Sequence, residues 1–211
     1  MIAGTPDFRR LFAEGRAHDF GHVRPGLVAV VRVAGIGELT LPTGRLVACE
    51  PWSYAPGREV SAFGQRVEPG VYRVQLILAD FYDSGGDKRF EEIAAARVVI
   101  RDEPVACWEP ALVAGGGDSA YLIDGGMGSF GSPEVFDALG FDDGLLGLLA
   151  EERPHGRCGH PGTGLTLVFF RPADGVHTTW LGRTALGDVA CFVTDFAILG
   201  SGDDMRANEP R

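Results

Sequence analysis

The chain has 211 residues, 45% of them apolar and 23% charged, and a net charge of −10. That length is enough to bury a real core, as one large domain or two small ones, and the composition is that of a globular protein. The negative charge argues against nucleic acid or an anionic membrane as the natural partner and suits a basic partner protein.

In chain order, Thr5 and Pro6 open a short helix near 5–14, with Phe8, Leu11 and Phe12 on one face and Gly15 after it. Leu27–Ala34 reads as a strand. Glu38–Leu41 and Arg45–Cys49 are expected to pair as a hairpin, because Pro42, Thr43 and Gly44 supply turn dihedrals. Residues 51–69 read as a long loop. Val71–Ala79 begins by alternating and ends wholly apolar, as a strand entering a core does. The Gly85–Gly86 turn and the β-branched end at Val98–Ile100 make 89–100 its antiparallel partner. Ala120–Ile123 is a short strand ending at Asp124 and a glycine turn. Ser132 and Pro133 start a helix, with a second helix over 142–152. A Gly/Pro/His loop covers 153–163, and Leu165–Phe170, Val176–Leu181 and Val189–Leu199 close the chain as a three-stranded meander. The expected fold is α+β, predominantly antiparallel β-sheet with an N-terminal helix and a helical segment near 132–152. Residues 1–199 form a single β-rich domain, and 200–211 form a frayed tail.

Cys49, Cys107, Cys158 and Cys191 are too scattered for a disulfide framework, and all but Cys158 read as buried small hydrophobes. The N-terminus lacks a basic region followed by an apolar core, and no apolar run approaches the ~20 residues that span a bilayer. A cytoplasmic protein is expected.

Several segments together resemble the bacterial domain of unknown function 4241. Leu41–Pro51 is similar to that family's opening "L-P-(S/T)-G-R-(I/L)-V-A-C-D-P", and Pro69–Val74 to its "P-G-x-Y-x-V". Ala95–Val98 and Trp108–Ala111 match its middle, Tyr121–Gly126 resembles "Y-x-V-D-A-G", and Val193–Phe196 resembles the closing "V-T-D-F". Ser129 stands where the family often has cysteine. The resemblance implies no activity.

Candidate chemistry rests on Arg45, Glu50, Asp80, Asp124 and Asp195, the polar residues at the ends or centres of apolar strands. One reading gathers them into an acidic pocket for a metal or for acid/base work. The other is structural, with Arg45 or Arg97 neutralising Asp195, and Asp124 bonding the amides of its own glycine turn. Asp195 is expected to be largely buried and paired with an arginine or with backbone amides, since a lone buried charge is costly. His155, Cys158 and His160 are three metal-capable side chains, but zinc normally closes four ligands, and only His177, His18 or His22 could complete a site. A polar surface loop is the preferred reading, with no metal or other cofactor. Gly115–Gly117 and Gly125–Gly128 lack the helix start and lysine of a phosphate loop. Trp52, Tyr54, Phe63, Phe81 and Tyr82 are either a binding face or an outer cover of the core.

The expectation is a non-catalytic, acidic protein-interaction module, immunity- or antitoxin-like, binding a basic partner rather than nucleic acid or membrane. The alternative is a small-ligand binder or enzyme with a pocket lined by Asp124, Asp195 and Arg45.

Overall fold

A computed structural model describes residues 6–19, 24–53, 62–139, 153–160 and 162–199. Strand β1 (Ala17–Asp19) pairs with β2 (Leu27–Leu41), and the long hairpin of β4 (Gly70–Asp83) and β5 (Lys88–Val99) follows. β12 (Val189–Asp195) lies against β5, then β11 (Gly175–Arg183). β11 is flanked by β6 (Cys107–Pro110) along one half and β7 (Ala120–Ile123) along the other. These eight strands make a long sheet. A short sheet of four has the order β3 (Val47–Cys49), β8 (Gly128–Gly131), β10 (Thr166–Phe170), β9 (His155–Gly159). Every pairing is antiparallel, so the expected fold class is found.

The wholly apolar stretches follow from layering. Leu76 and Leu78 face the short sheet, together with Leu39, Leu41, Val98 and Phe192, and meet Phe130, Val168 and Phe170 from across the sandwich. Ile77 and Ala79 point the other way, with Val31, Phe81, Ala95, Val193 and Trp180. Helix α1 (Phe8–Leu11) covers that outer face with Phe8 and Leu11, and the Phe8 ring stacks on Trp108 with centroids 3.9 Å apart. On the far side, Val47, Leu167 and Phe169 of the short sheet meet Val135, Phe136 and Leu139 of α2 (Pro133–Leu139). Both sheets are therefore buried on both faces over much of their area, and alternation of side chains is no longer alternation of polarity.

Four local expectations fail, each for a reason of pairing. Leu41 lies opposite Gly70 and Val47 opposite Gly131, so the segments around Gly44 separate into different sheets instead of forming a hairpin. The bulge at Gly35–Gly37 also lets β2 run unbroken from 27 to 41, where two strands were expected. β10 joins the short sheet, so the closing meander is a two-stranded one of β11 and β12. The His155–Gly159 segment is strand β9, paired along β10, rather than a surface loop. The helix expected at 142–152 and the tail at 200–211 lie outside the described residues.

β8 was hidden by its glycines. A methyl group on Gly131 would stand 2.6 Å from the Phe136 ring and 2.9 Å from Val135, so glycine is what lets α2 rest directly on the strand. The Ser132 side chain accepts the Val135 N–H at 3.2 Å and caps that helix, as expected. Gly131→Ala is predicted to cost about 1–3 kcal/mol by overpacking, read from urea unfolding. An unchanged midpoint would contradict close packing of α2 on β8.

Candidate functional site

The five polar strand residues are dispersed. Arg45 bonds Glu134 at 3.1 Å on the α2 side of the short sheet. Asp80 sits at the other end of β4, 8% exposed, where the inner face of the long sheet continues into charged residues. Arg32 reaches it at 3.3 Å and Lys88 at 2.8 Å, and both also bond Glu91. Burial alone would raise the Asp80 carboxyl, but its bonds with Lys88, Glu91 and Arg32 outweigh this and hold it below the usual carboxylate range. That cluster is a structural ion-pair network.

Glu50 and Asp124 do meet, with their roles exchanged. The expected turn cap, Asp124, has an exposed side chain. The carboxylate that takes the turn amides is Glu50, only 4% exposed, which accepts the N–H of Asp124 at 3.1 Å and of Gly125 at 2.6 Å. Gly125 lies against the Trp52 indole, where a methyl group would stand 2.4 Å from Nε1.

Asp195 lies on the outer face of the long sheet, the face of Cys191 and Val193, between Thr178 and Ala95. Its Oδ1 accepts the Ala197 N–H at 3.0 Å, and Ala197 has a left-handed φ of 57°. Among the described residues no cation lies within ion-pair distance. Arg97, one of the two expected partners, is on the same face but turns toward β4. Its Nε and Nη2 both donate to Gln75 Oε1, at 3.0 and 2.5 Å, and its guanidinium lies 4.4 Å from the centre of the Phe12 ring. Burial pushes the Asp195 carboxyl up to about 6, against a small lowering from the Ala197 amide.

The histidine–cysteine motif does not converge. On strand β9, His155 points to the face opposite Cys158, and among the described residues no group of three such side chains could hold a metal ion. His160 Nδ1 lies 3.1 Å from Thr163 Oγ1. His177 Nε2 donates to the Ala173 carbonyl at 3.0 Å with its ring edge-on to Phe196, and His18 is buried on β1. Burial lowers the pKa of both. His22 lies outside the described residues, as does Tyr54. Among the described residues, Phe63 and Phe81 are in the core and Trp52 and Tyr82 are half-buried, so these four form no exposed aromatic face. Cys107, expected inside, is exposed.

A wide opening lies elsewhere. A groove of about 460 Å³ runs along Arg66, Glu68, Tyr72, Arg101, Arg183 and Asp188 at the β11–β12 turn. Its residues are scattered charges on loops and strand ends, which carry no periodic signal in the sequence.

A carboxyl whose folded pKa is raised contributes stability below its unfolded value of 3.8 and loses it as pH rises through about 6. Asp195→Asn keeps the acceptor for Ala197 and removes the charge. It should stabilise the fold by about 1–3 kcal/mol at pH 8 and leave it unchanged near pH 4, measured by denaturant unfolding at both. A clear loss of stability at pH 8 would mean that the charge has a cation.

A family model described as "protein of unknown function (DUF4241)" matches residues 39–156. No curated protein and no solved structure matches the chain. The match takes in the opening motif at Leu41–Pro51, Glu50 and the Asp124–Gly125 turn, and stops short of the closing motif at Val193–Phe196. Spanning more than half of the 211 residues, it shows that the chain belongs to the DUF4241 family.

Proposed function

We propose that this protein is a cytoplasmic, non-catalytic interaction module that binds a basic partner protein, an immunity- or antitoxin-like role being its most concrete form. The observation that carries the reading is the corner of the long sheet around Asp195. Thr178 stands beside Asp195, and one step along the same face is Val176, paired across the strands with Leu122. Val176 is 71% and Leu122 52% exposed, and α1 does not reach them. Exposed Asp118, Asp124 and Asp174 stand around this pair, at the ends of β7 and the start of β11. β7 has β11 on one side and no strand on the other among the described residues. A partner segment with an apolar residue flanked by lysine or arginine would cover the pair, lie along the open edge and supply the cation that Asp195 lacks.

A pocket lined by Asp124, Asp195 and Arg45 has weaker support. Arg45 is engaged with Glu134 beside the short sheet, whereas Asp195 is on the outer face of the long one. The net charge of −10 agrees with a basic partner.

The test is capture from source-cell lysate with the purified chain, followed by reconstitution with the purified retained protein. The reading predicts a basic protein bound in a fixed ratio, more weakly as salt is raised, and about tenfold or more weakly by Leu122→Lys or Asp195→Lys. Unchanged affinity in both variants, or no protein that binds on reconstitution, would overturn it.

A further inference from the structure

On the same outer face, in the rows that follow Asp195 toward the start of β12, three arginines surround one small cleft. Rows of the sheet place Gln75 beside Arg97, and Arg73 beside Val99 and Cys191. Arg101 follows β5 directly. The cleft has a volume of about 120 Å³, with Val99, Ala190 and Cys191 as its floor and Val105 on one wall.

Arg97 is the unusual member. Arg97 is half-buried, and a guanidinium drawn partly out of water normally faces a carboxylate that offsets its lost hydration. Here two of its five N–H donors share one amide oxygen of Gln75, and among the described residues no carboxylate lies within ion-pair distance. The Phe12 ring closes one side of it. Cys191 does not supply the missing charge, since burial pushes its thiol up to about 12. Burial is the main cause that lowers the Arg97 pKa, with Arg73 adding to it and Cys191 and Asp102 acting against it. The acids at the cleft stand at its rim. Asp102 meets Arg73 at 3.3 Å with its side chain 90% exposed, and Glu103 is exposed; outside the cleft, Asp188 meets Arg101 at 3.8 Å.

We infer that this cleft binds a small free oxyanion, a phosphate or a carboxylate, with the half-buried Arg97 as the inner anchor and Arg73 and Arg101 as the outer clamp. Guanidinium groups match such anions in geometry and bind them with paired, charge-assisted hydrogen bonds. At ~30 Å³ per water, the cleft has room for about four waters, which suits a compact anion and not a nucleotide. The ligand would enter where Arg73 and Arg101 are exposed, leaving their carboxylate partners to solvent. This site is independent of the partner surface around Asp195.

Thermal unfolding of the full chain tests it, with inorganic phosphate, acetate or chloride at matched ionic strength. Phosphate or acetate should raise Tm by roughly 3–6 °C over chloride at saturation, and the anion with the larger shift names the group bound. Arg97→Gln should abolish the shift. If that variant does not fold, Arg73→Gln combined with Arg101→Gln, both at exposed positions, should reduce it by at least half. Equal Tm in all three salts, or a full shift in the variant that folds, overturns the inference. So does co-sedimentation with phosphatidic-acid vesicles without any response to the free anions, since that would make the ligand a lipid headgroup.

Discussion

The fold depends on one corner, where the chain leaves the long sheet at Ile123 and enters the short sheet at Gly128. The turn between them directs the Asp124 and Gly125 amides toward the nearly buried Glu50, and those amides need an acceptor. Glu50 supplies it from the end of β3, a strand of the other sheet. Two charge-assisted bonds from consecutive backbone N–H groups offset the cost of burying that carboxylate, and the 3-10 turn Pro51–Ser53 then carries Trp52 over Gly125. The same bonds fix how the sheets meet, so Phe130 and Phe170 land on Leu76, Phe192 and their neighbours. The next residues form β8 and α2, which close the far side of the sandwich.

The inequality of the two sheets places the remaining chemistry. β4 spans fourteen residues and the strands of the short sheet span three to five, so part of the long sheet extends past its cover. On the inner face the overhang becomes the Arg32–Asp80–Lys88–Glu91 network. On the outer face, α1 is one turn long and covers only the middle. Asp195, with the exposed Leu122–Val176 pair beside it, lies at the end of β12, and the arginine cleft toward its start. Polar residues on apolar strands are therefore of two kinds here. Some are paired where a sheet face runs out, and two, Asp195 and Arg97, point away from each other on one face without an opposite charge.

Most of the strands were legible, because turn residues such as Gly85–Gly86 bound long β-branched or apolar runs and set pairing by proximity. What was not legible was which sheet a strand joins. Leu165–Phe170 and Val189–Leu199 both read as apolar strands, and only the layers of Phe130 and α2 draw the first away. β8 was not anticipated, because glycine serves close packing as well as turns and no local signal separates these uses. β9 carries the polar residues of an edge strand, which resemble a loop. The partners of the five polar candidates are set by tertiary register, which no local pattern carries. The shift at Ile77–Leu78 and the row that pairs Arg97 with Gln75 decide that Asp195 has no arginine.

The claim that the Glu50 carboxylate pins the two sheets at their shared corner is tested most directly by the unfolding free energy of Glu50→Ala in urea. Removing it leaves the Asp124 and Gly125 amides without their acceptor, and a loss of about 2–4 kcal/mol is predicted. A loss under about 0.5 kcal/mol, the range of ordinary surface substitutions, would contradict the account.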